Sequence, residues 1–374
     1  DVKKAVSGQS GGLFPGSFCK IVEDLAGDPD WCTAVHADGA GTKSSVAYLM
    51  VRETGDRSWY EGIAQDALVM NTDDLACIGA TTGFLVSNTI GRNAHRVDGP
   101  SIAAVISGYD AMIERLREEG IDIRMTGGET ADVGDLVQTM ICDSTVVVRM
   151  RRRDVVSAAN IRPGHVLVGL ASFGKSRMER RENSGIGSNG MTAARHLLLN
   201  HEYLEKYPET VSATLSPNLA YCGRYRLSDP LPGSGLTVGE ALLSPTRTYL
   251  PLVRDLLSAL RGSVSGLLHC TGGGQAKCRD FGSGLVYVKD RLFDPPPLFR
   301  TILESGAIEP REMYQVFNMG HRMEIACEPA AADRAVAIAA SHGIEARIIG
   351  HVESGTGIPG NRVVIRSGSE EYIY

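Results

Sequence analysis

The stretch that decides the fold is "WCTAVHADGAGTK", residues 31–43, in which a strand-forming run ends in an acid, two glycines, a threonine and a lysine. Strand formers run up to Ala37, so the pattern predicts a strand over 32–37, with Asp38 where the loop begins. Gly39 and Gly41 put no Cβ in the way of a close approach and take positive φ at small cost, which opens backbone N–H groups to a ligand. A carboxylate, an ammonium and bare backbone side by side suit a phosphate.

Working outward, strand patterns at 83–91, 121–126 and 138–150 alternate with two helical patterns. The first helix spans about 59–78, with Trp59, Ile63, Ala67, Met70, Leu75 and Ile78 on an apolar face. The second spans about 100–119, opens after "DGPS" and closes at Gly120. This order predicts an α+β, ferredoxin-like unit with its helices on one face of the sheet. The other face needs cover, and for so small a unit a second copy of the chain is the expected one, which makes a homodimer.

The charged run at 151–154 and the Pro163-Gly164 turn mark a border, dividing the chain into domains at 1–150 and 151–374. The second half is α/β, with strands near 165–171, 264–270, 284–289, 321–327, 344–352 and 362–366. Its helices fall near 189–200, 246–261, 296–305 and 329–342, and its long Gly/Ser/Pro loops, "ENSGIGSNG" and "SDPLPGSGLT", are of the kind that carries function.

Composition narrows the classes. The 374 residues allow two to three domains at about 150 residues each. A net charge of -6 argues against a nucleic-acid partner, which demands surplus lysine and arginine, and "RMRRRD" (149–154) reads as a solvated edge. No apolar run approaches the ~18 residues of a membrane span, so a soluble, cytoplasmic protein is expected. The eight cysteines never form C-x-x-C and suit reduced, packed thiols rather than zinc ligands or disulfides. The chain starts at Asp1 without a Met, so a preceding piece is expected to be missing.

The chemistry-bearing residues fall into two sets. Asp66, Asp73 and Asp74 lie on the first helix, and Asp66 and Asp73 are two turns apart, so they point the same way from an otherwise apolar element. A buried carboxylate needs a partner or a metal. "MTGGETADVGD" (125–135) repeats the opening pattern: a strand running into Gly127 and Gly128, then Glu129 and Asp132. Together these acids describe a Mg²⁺ cluster facing a polyphosphate, with Lys43 as a point cation, and the 36–43 octet, which does not read G-x-x-x-x-G-K-[ST], is not a P-loop. In the second half Ser188, Asn189 and Gly190 open a helix, where unpaired N–H groups favour an anion. Thr246 and Arg247 follow Pro245 at another helix start, and His269 and Thr271 precede three glycines at a strand end. A plain turn at Gly127–Gly128 and an ordinary helix cap at Ser188–Gly190 are the purely structural alternatives.

In this order "DGAGTK", "DDLACIGA", "TGGETAD", "SNG", "SPTRTY", "HCTGGG" and "MYQVFNMG" resemble the aminoimidazole ribonucleotide synthetase family, the phosphoribosylformylglycinamidine cyclo-ligases of purine biosynthesis, from about Leu13 to Ile365. The resemblance implies a homodimer whose N-terminal sheets pair into a barrel, a C-terminal α/β sandwich domain, and ATP with Mg²⁺ in the cleft. It further implies that ATP phosphorylates the formamide oxygen of formylglycinamidine ribonucleotide before an amidine nitrogen closes the ring. Carried over, Asp38, Gly39, Gly41, Thr42, Lys43, Gly127, Gly128, Ser188, Asn189 and Gly190 would serve ATP, and Asp38, Asp66, Asp74 and Glu129 the metal. Thr246, Arg247, Thr271, Gly272 and Asn318 would line the substrate side, with Lys43, Asp74 and His269 catalytic. Three departures touch the C-terminal half: Gly187 where the family commonly has histidine, Gln275–Lys277 after the glycines, and His321–Arg322 for smaller residues. They keep two alternatives open, a related ATP-dependent kinase or synthetase and a non-catalytic nucleotide-binding scaffold.

Overall fold

The computed structural model describes residues 11–374 other than Ile358, and two sheets organise it. The first has the order β1 (Ile21–Glu23), β2 (Trp31–Gly39), β5 (Met140–Arg151), β3 (Phe84–Arg92), β4 (Ile123–Asp132). The β3–β4 pair is parallel, and β5 slots antiparallel between β2 and β3, so the sheet is mixed. The chain passes from β2 to β3 through α1 (Lys43–Thr54) and α2 (Glu61–Ala76), and from β3 to β4 through α3 (Gly99–Glu118). Sequence patterning predicts no helix at 43–54; it forms because Val46, Ala47, Leu49 and Met50 bury one face.

Ala34, Phe84, Val86, Val146 and Val148 are buried in this half, whereas Val35 and Leu85, which both pair with Val147 in register, are 51% and 45% exposed. One face of the sheet is therefore covered and the other open. In α2 every residue from Ile63 to Ala76 is buried, polar ones included. The start and stop expected of α3 are present: Asp98 accepts from Ser101 N, and Gly120 follows at φ 81°.

The stretch 126–132 differs from expectation. Gly127 and Gly128 form neither turn nor loop but lie inside β4, beside a register shift against β3. A Cβ on Gly128 would stand 1.7 Å from the Asn88 Oδ1, so the close approach of Asn88 accounts for glycine there.

The second sheet runs β12 (Glu370–Ile373), β11 (Arg362–Ser367), β8 (Leu285–Lys289), β10 (Ala346–Ser354), β6 (Val166–Ala171), β9 (His321–Cys327), β7 (Val264–His269), with only the β11–β8 pair parallel. Its longer helices are α4 (Met191–Leu198), α5 (Leu250–Leu260), α6 (Pro297–Glu304) and α7 (Ala332–Ser341). The helix expected from 246 begins only at Leu250, because Thr246–Tyr249 stay non-helical to meet carboxylates of α2. All eight cysteines are free thiols and all but Cys222 are buried. No helix among the described residues is long and apolar enough to cross a membrane.

Candidate functional site

The two edges of α2 meet different parts of the molecule. On one edge Asp66 Oδ1 accepts from Lys43 Nζ at 2.8 Å, from Thr246 N at 2.8 Å and from Thr246 Oγ1 at 2.5 Å. Lys43 Nζ also donates to Ser244 O at 2.5 Å, and both side chains of the pair are fully buried. Burial lowers the Lys43 ammonium against the pull of Asp66. Two turns on, Asp73 accepts from Thr248 Oγ1 at 3.0 Å and Tyr249 N at 3.0 Å. Asp66 and Asp73 thus do share a face, but they hold the segment Ser244–Tyr249 rather than a metal. Lys43 Nζ is thus engaged by Asp66 and the Ser244 carbonyl, while Asp66 Oδ2 is buried with no hydrogen-bond partner.

On the other edge Asp74 sits between two imidazoles, 2.5 Å from His269 Nδ1 and 3.2 Å from His36 Nε2. Asn71 Nδ2 donates to the carbonyls of Asp38 and Ala67, which turns its Oδ1 toward His36 Nδ1 at 2.9 Å. Both His36 nitrogens thus face acceptors; burial opposes a charge on the ring, but Asp74 outweighs it and raises the pKa. Arg322 Nε donates to His269 Nε2 at 3.0 Å, so His269 carries its proton on Nδ1, toward Asp74. Burial alone would raise the Asp74 carboxyl, yet the two imidazoles hold it down to about 2. Burial pushes neighbouring Asp73 up to about 6, against weaker pulls from His269 and Arg322.

Asp38 is exposed beside this cluster, one oxygen accepting from Gly39 N at 2.7 Å. Partial desolvation at the mouth of the cluster, and repulsion from Asp74, raise its pKa. The turn after it reaches the second domain: Thr42 Oγ1 lies 2.8 Å from Thr192 Oγ1, in the first turn of α4, directly after Ser188–Asn189–Gly190. Ser188 Oγ stands 3.4 Å from Thr246 Oγ1, and Asn189 Nδ2 is buried with no partner. So Asp38, Gly39, Gly41, Thr42, Asp74, Ser188–Gly190, Thr246 and His269 gather around one junction of the two domains. His36 and Asn71 belong there too, although the sequence reading omits them. The signal was present, because His36 lies two residues before Asp38 and so shares its face of β2.

Other expected residues lie elsewhere. Gly39, Asp143, Thr89 and Glu129 form one row across the first sheet, which puts Glu129 three strand spacings, about 14 Å, from the Asp38 turn. Within this chain Glu129, Gly127 and Gly128 are therefore not brought to the Asp38 turn. Arg247 has its whole fork used within the chain: Glu179 takes Nε and Nη2, and the carbonyls of Ala171, Phe173 and Gly174 take the rest. Asn318 is spent likewise on Ser172 Oγ, Gly320 N and Gly185 O, and so holds the loop before Ser188. Thr271 is buried with its N–H on His269 O, while Gly272 borders open space at φ 61°.

The departures from the family pattern interlock. Gln275 Nε2 donates to the carbonyls of Asn318 and His321, and Lys289 Nζ donates to Gln275 O at 2.5 Å and to Glu324. His321 Nε2 lies 3.0 Å from the same Glu324 oxygen. A cavity of about 410 Å³ between Trp59, Arg115, Arg181 and Pro245 lies apart, and none of Asp38, Asp74 and His269 lines it.

Residues 19–150 match the N-terminal domain, and residues 162–359 the C-terminal domain, of the AIR synthase related proteins. Relatives named phosphoribosylformylglycinamidine cyclo-ligase include one from Methanocaldococcus jannaschii, 27% identical over 90% of this chain and 82% of the relative. Another, from Methanothermobacter thermautotrophicus, is 30% identical over 83% of this chain and 77% of its own. Among solved structures, the hydrogenase maturation protein HypE aligns with a TM-score of 0.56 at 16% identity, covering 94% of this chain and 89% of that one. T. maritima PurL complexed with FGAR aligns at 0.55 and 15% identity over 96% of this chain, which spans about half (47%) of PurL's length. At those identities the two structures speak for the fold alone.

Proposed function

We propose that this chain, which belongs to the AIR synthase related protein family, closes the ring of 5-aminoimidazole ribonucleotide from formylglycinamidine ribonucleotide, converting ATP to ADP and phosphate. The observation that carries this reading is the junction at which Asp74 meets His269 and Thr42 meets Thr192, bringing both family domains to one site. A formamide oxygen is a poor leaving group and a phosphate is a good one. Phosphorylating that oxygen lets the amidine nitrogen displace it, so catalysis rests on positioning and on neutralising charge around the phosphoryl group.

The residues divide that work. Gly41–Thr42, past the Gly39 and Ala40 N–H groups already held by Asp38 and Cys142, and Ser188–Gly190 offer backbone donors to the ATP phosphates, with Asn189 Nδ2 as an unused side-chain donor. His36, its pKa raised by Asp74, adds positive charge when protonated, and Asp74 fixes the orientation and tautomer of His269. Asp38 fits a Mg²⁺ ion by donor type, its Oδ2 having no hydrogen-bond partner among the described residues, and Asp74 beside it would share the ion by giving up one of its two imidazole contacts. They would hold the ion, which supplies charge neutralisation to the phosphates. The domain division falls after β5, near residue 150. The open face bearing Val35 and Leu85 supports a homodimer in which two such sheets face each other as a barrel. Buried free thiols suit the reducing cytoplasm.

Purified protein given ATP, Mg²⁺ and formylglycinamidine ribonucleotide should yield aminoimidazole ribonucleotide and one phosphate per ring. ADP without the imidazole product would point to a related kinase or synthetase, and ATP binding without turnover to a scaffold. Sedimentation should give a dimer; a clean monomer would remove the barrel.

A further inference from the structure

Two arginines lie buried side by side at the domain junction, and their hydrogen bonds differ. Arg247 is 1% exposed and all five of its N–H donors have acceptors, two of them on the Glu179 carboxylate. Arg322, on β9, is 2% exposed and uses two donors, Nε on His269 Nε2 and Nη2 on the Arg247 carbonyl, both neutral acceptors. The nearest carboxylate oxygen, Asp73 Oδ2, is 4.0 Å away and already accepts from Tyr249 N. The guanidinium lies over the Tyr249 ring, 5.3 Å from its centroid, which fixes its plane.

A buried guanidinium with three unused donors and no close counter-ion is costly, and such a group is tolerated where an anion arrives to complete it. Where its free end points is set by Gly187. A Cβ at that position would stand 3.3 Å from Arg322 Nη1 and 3.7 Å from Thr246 Oγ1. The absence of a side chain at 187, where φ is +67°, thus leaves the room into which Nη1 reaches. Ser188 and Asn189 follow at once, the latter with its unpartnered amide. The departures at 187 and 322 therefore meet in space and make one feature.

We propose that Arg322 is a phosphate-binding residue of this site, its Nη1 and remaining Nη2 donors closing on phosphate oxygens held beside Ser188 and Asn189. The guanidinium fork matches such oxygens bidentately, which a histidine ring or a lysine does not. The assignment of a phosphate rather than another anion rests on the proposed function. Two sources share this chemistry, the 5′-phosphate of the ribonucleotide and the phosphoryl group in transfer.

The test uses Arg322→Gln and Arg322→Lys in the full chain, read by steady-state kinetics and by titration with inorganic phosphate. If the 5′-phosphate is the ligand, Arg322→Gln raises KM for the ribonucleotide about 100-fold with kcat within 3-fold of wild type. If the transferred group is the ligand, kcat falls about 100-fold to 1,000-fold with both KM values nearly unchanged. In either case Arg322→Lys keeps part of what glutamine loses, and inorganic phosphate raises the Tm of the wild type but not of Arg322→Gln. A folded Arg322→Gln with kcat and KM within 3-fold of wild type, or with undiminished phosphate stabilisation, overturns the proposal. Should the glutamine variant not fold, undiminished phosphate stabilisation and wild-type kinetics in Arg322→Lys overturn it equally. A wild type that closes no ring defeats the proposed function alone, because the phosphate titration still decides the role of Arg322.

Discussion

The two edges of α2 carry the same residue type to opposite ends. Asp66 and Asp73 form a rail, two turns apart, that grips the extended segment Thr246–Tyr249 through backbone and hydroxyl donors. Asp74, next in sequence to Asp73 and rotated about 100° around the helix, holds two imidazoles instead. Both Asp73 and Asp74 are buried, yet one carboxyl is driven up to about 6 and the other down to about 2. Burial acts on both; only Asp74 has cationic or ring N–H partners on both oxygens to overcome it. The rail builds the site by fixing Thr246 under Ser188, and the other edge lies within it.

The rail is most exposed to loss at its single ion pair. Lys43→Met leaves Asp66 charged and buried with only the two Thr246 donors, and a loss of about 3–5 kcal/mol is expected by urea unfolding. A loss below about 1 kcal/mol would mean that Thr246 alone carries the charge, and the rail would then be a hydrogen-bonded cap rather than an ionic joint. The opposite edge is tested by Asp74→Asn, which keeps the volume but cannot accept from two N–H groups on both atoms. There kcat should fall about 100-fold to 1,000-fold, near 3–4 kcal/mol in activation free energy. The first sheet should keep its fold by circular dichroism. Near-normal turnover would place Asp74 with the rail and erase the contrast between the edges.

How far this contrast was legible in the sequence depends on the range of the contacts. The seven-residue spacing of Asp66 and Asp73 correctly put both on one face, because helix geometry is local. What that face would touch was not local: Thr246 lies 180 residues from Asp66. A buried carboxylate satisfied by peptide N–H groups has no sequence signature distinct from one satisfied by a metal. The strands were readable from alternation, but Gly127–Gly128 were not, because the demand for glycine came from the Asn88 side chain on the neighbouring strand. Helix α1 escaped for a related reason, since its pattern begins in the very residues that resemble a phosphate loop. Arg247 looked available as a charge at a presumed helix start, and five acceptors from β6, the loop after it and Glu179 turned it into a structural pin.

The finest division between the edges is the sign of a pH dependence. Asp73 titrates near 6 in the native chain and near 4 when unfolded, so between those values the native state holds the extra proton. Wild-type stability therefore falls as pH rises from about 4 to about 6 on account of this group, and the penalty is complete above that. Asp73→Asn retains an acceptor for Thr248 and Tyr249 without the charge. Relative to wild type it should gain about 1–3 kcal/mol on going from pH 4 to pH 7.5, measured as the difference of two urea midpoints. The opposite sign would mean that Asp73 is ionised in a working pair with Arg322, 4.0 Å away. Asp73 would then resemble Asp74, and the Arg322 guanidinium would already have its counter-ion.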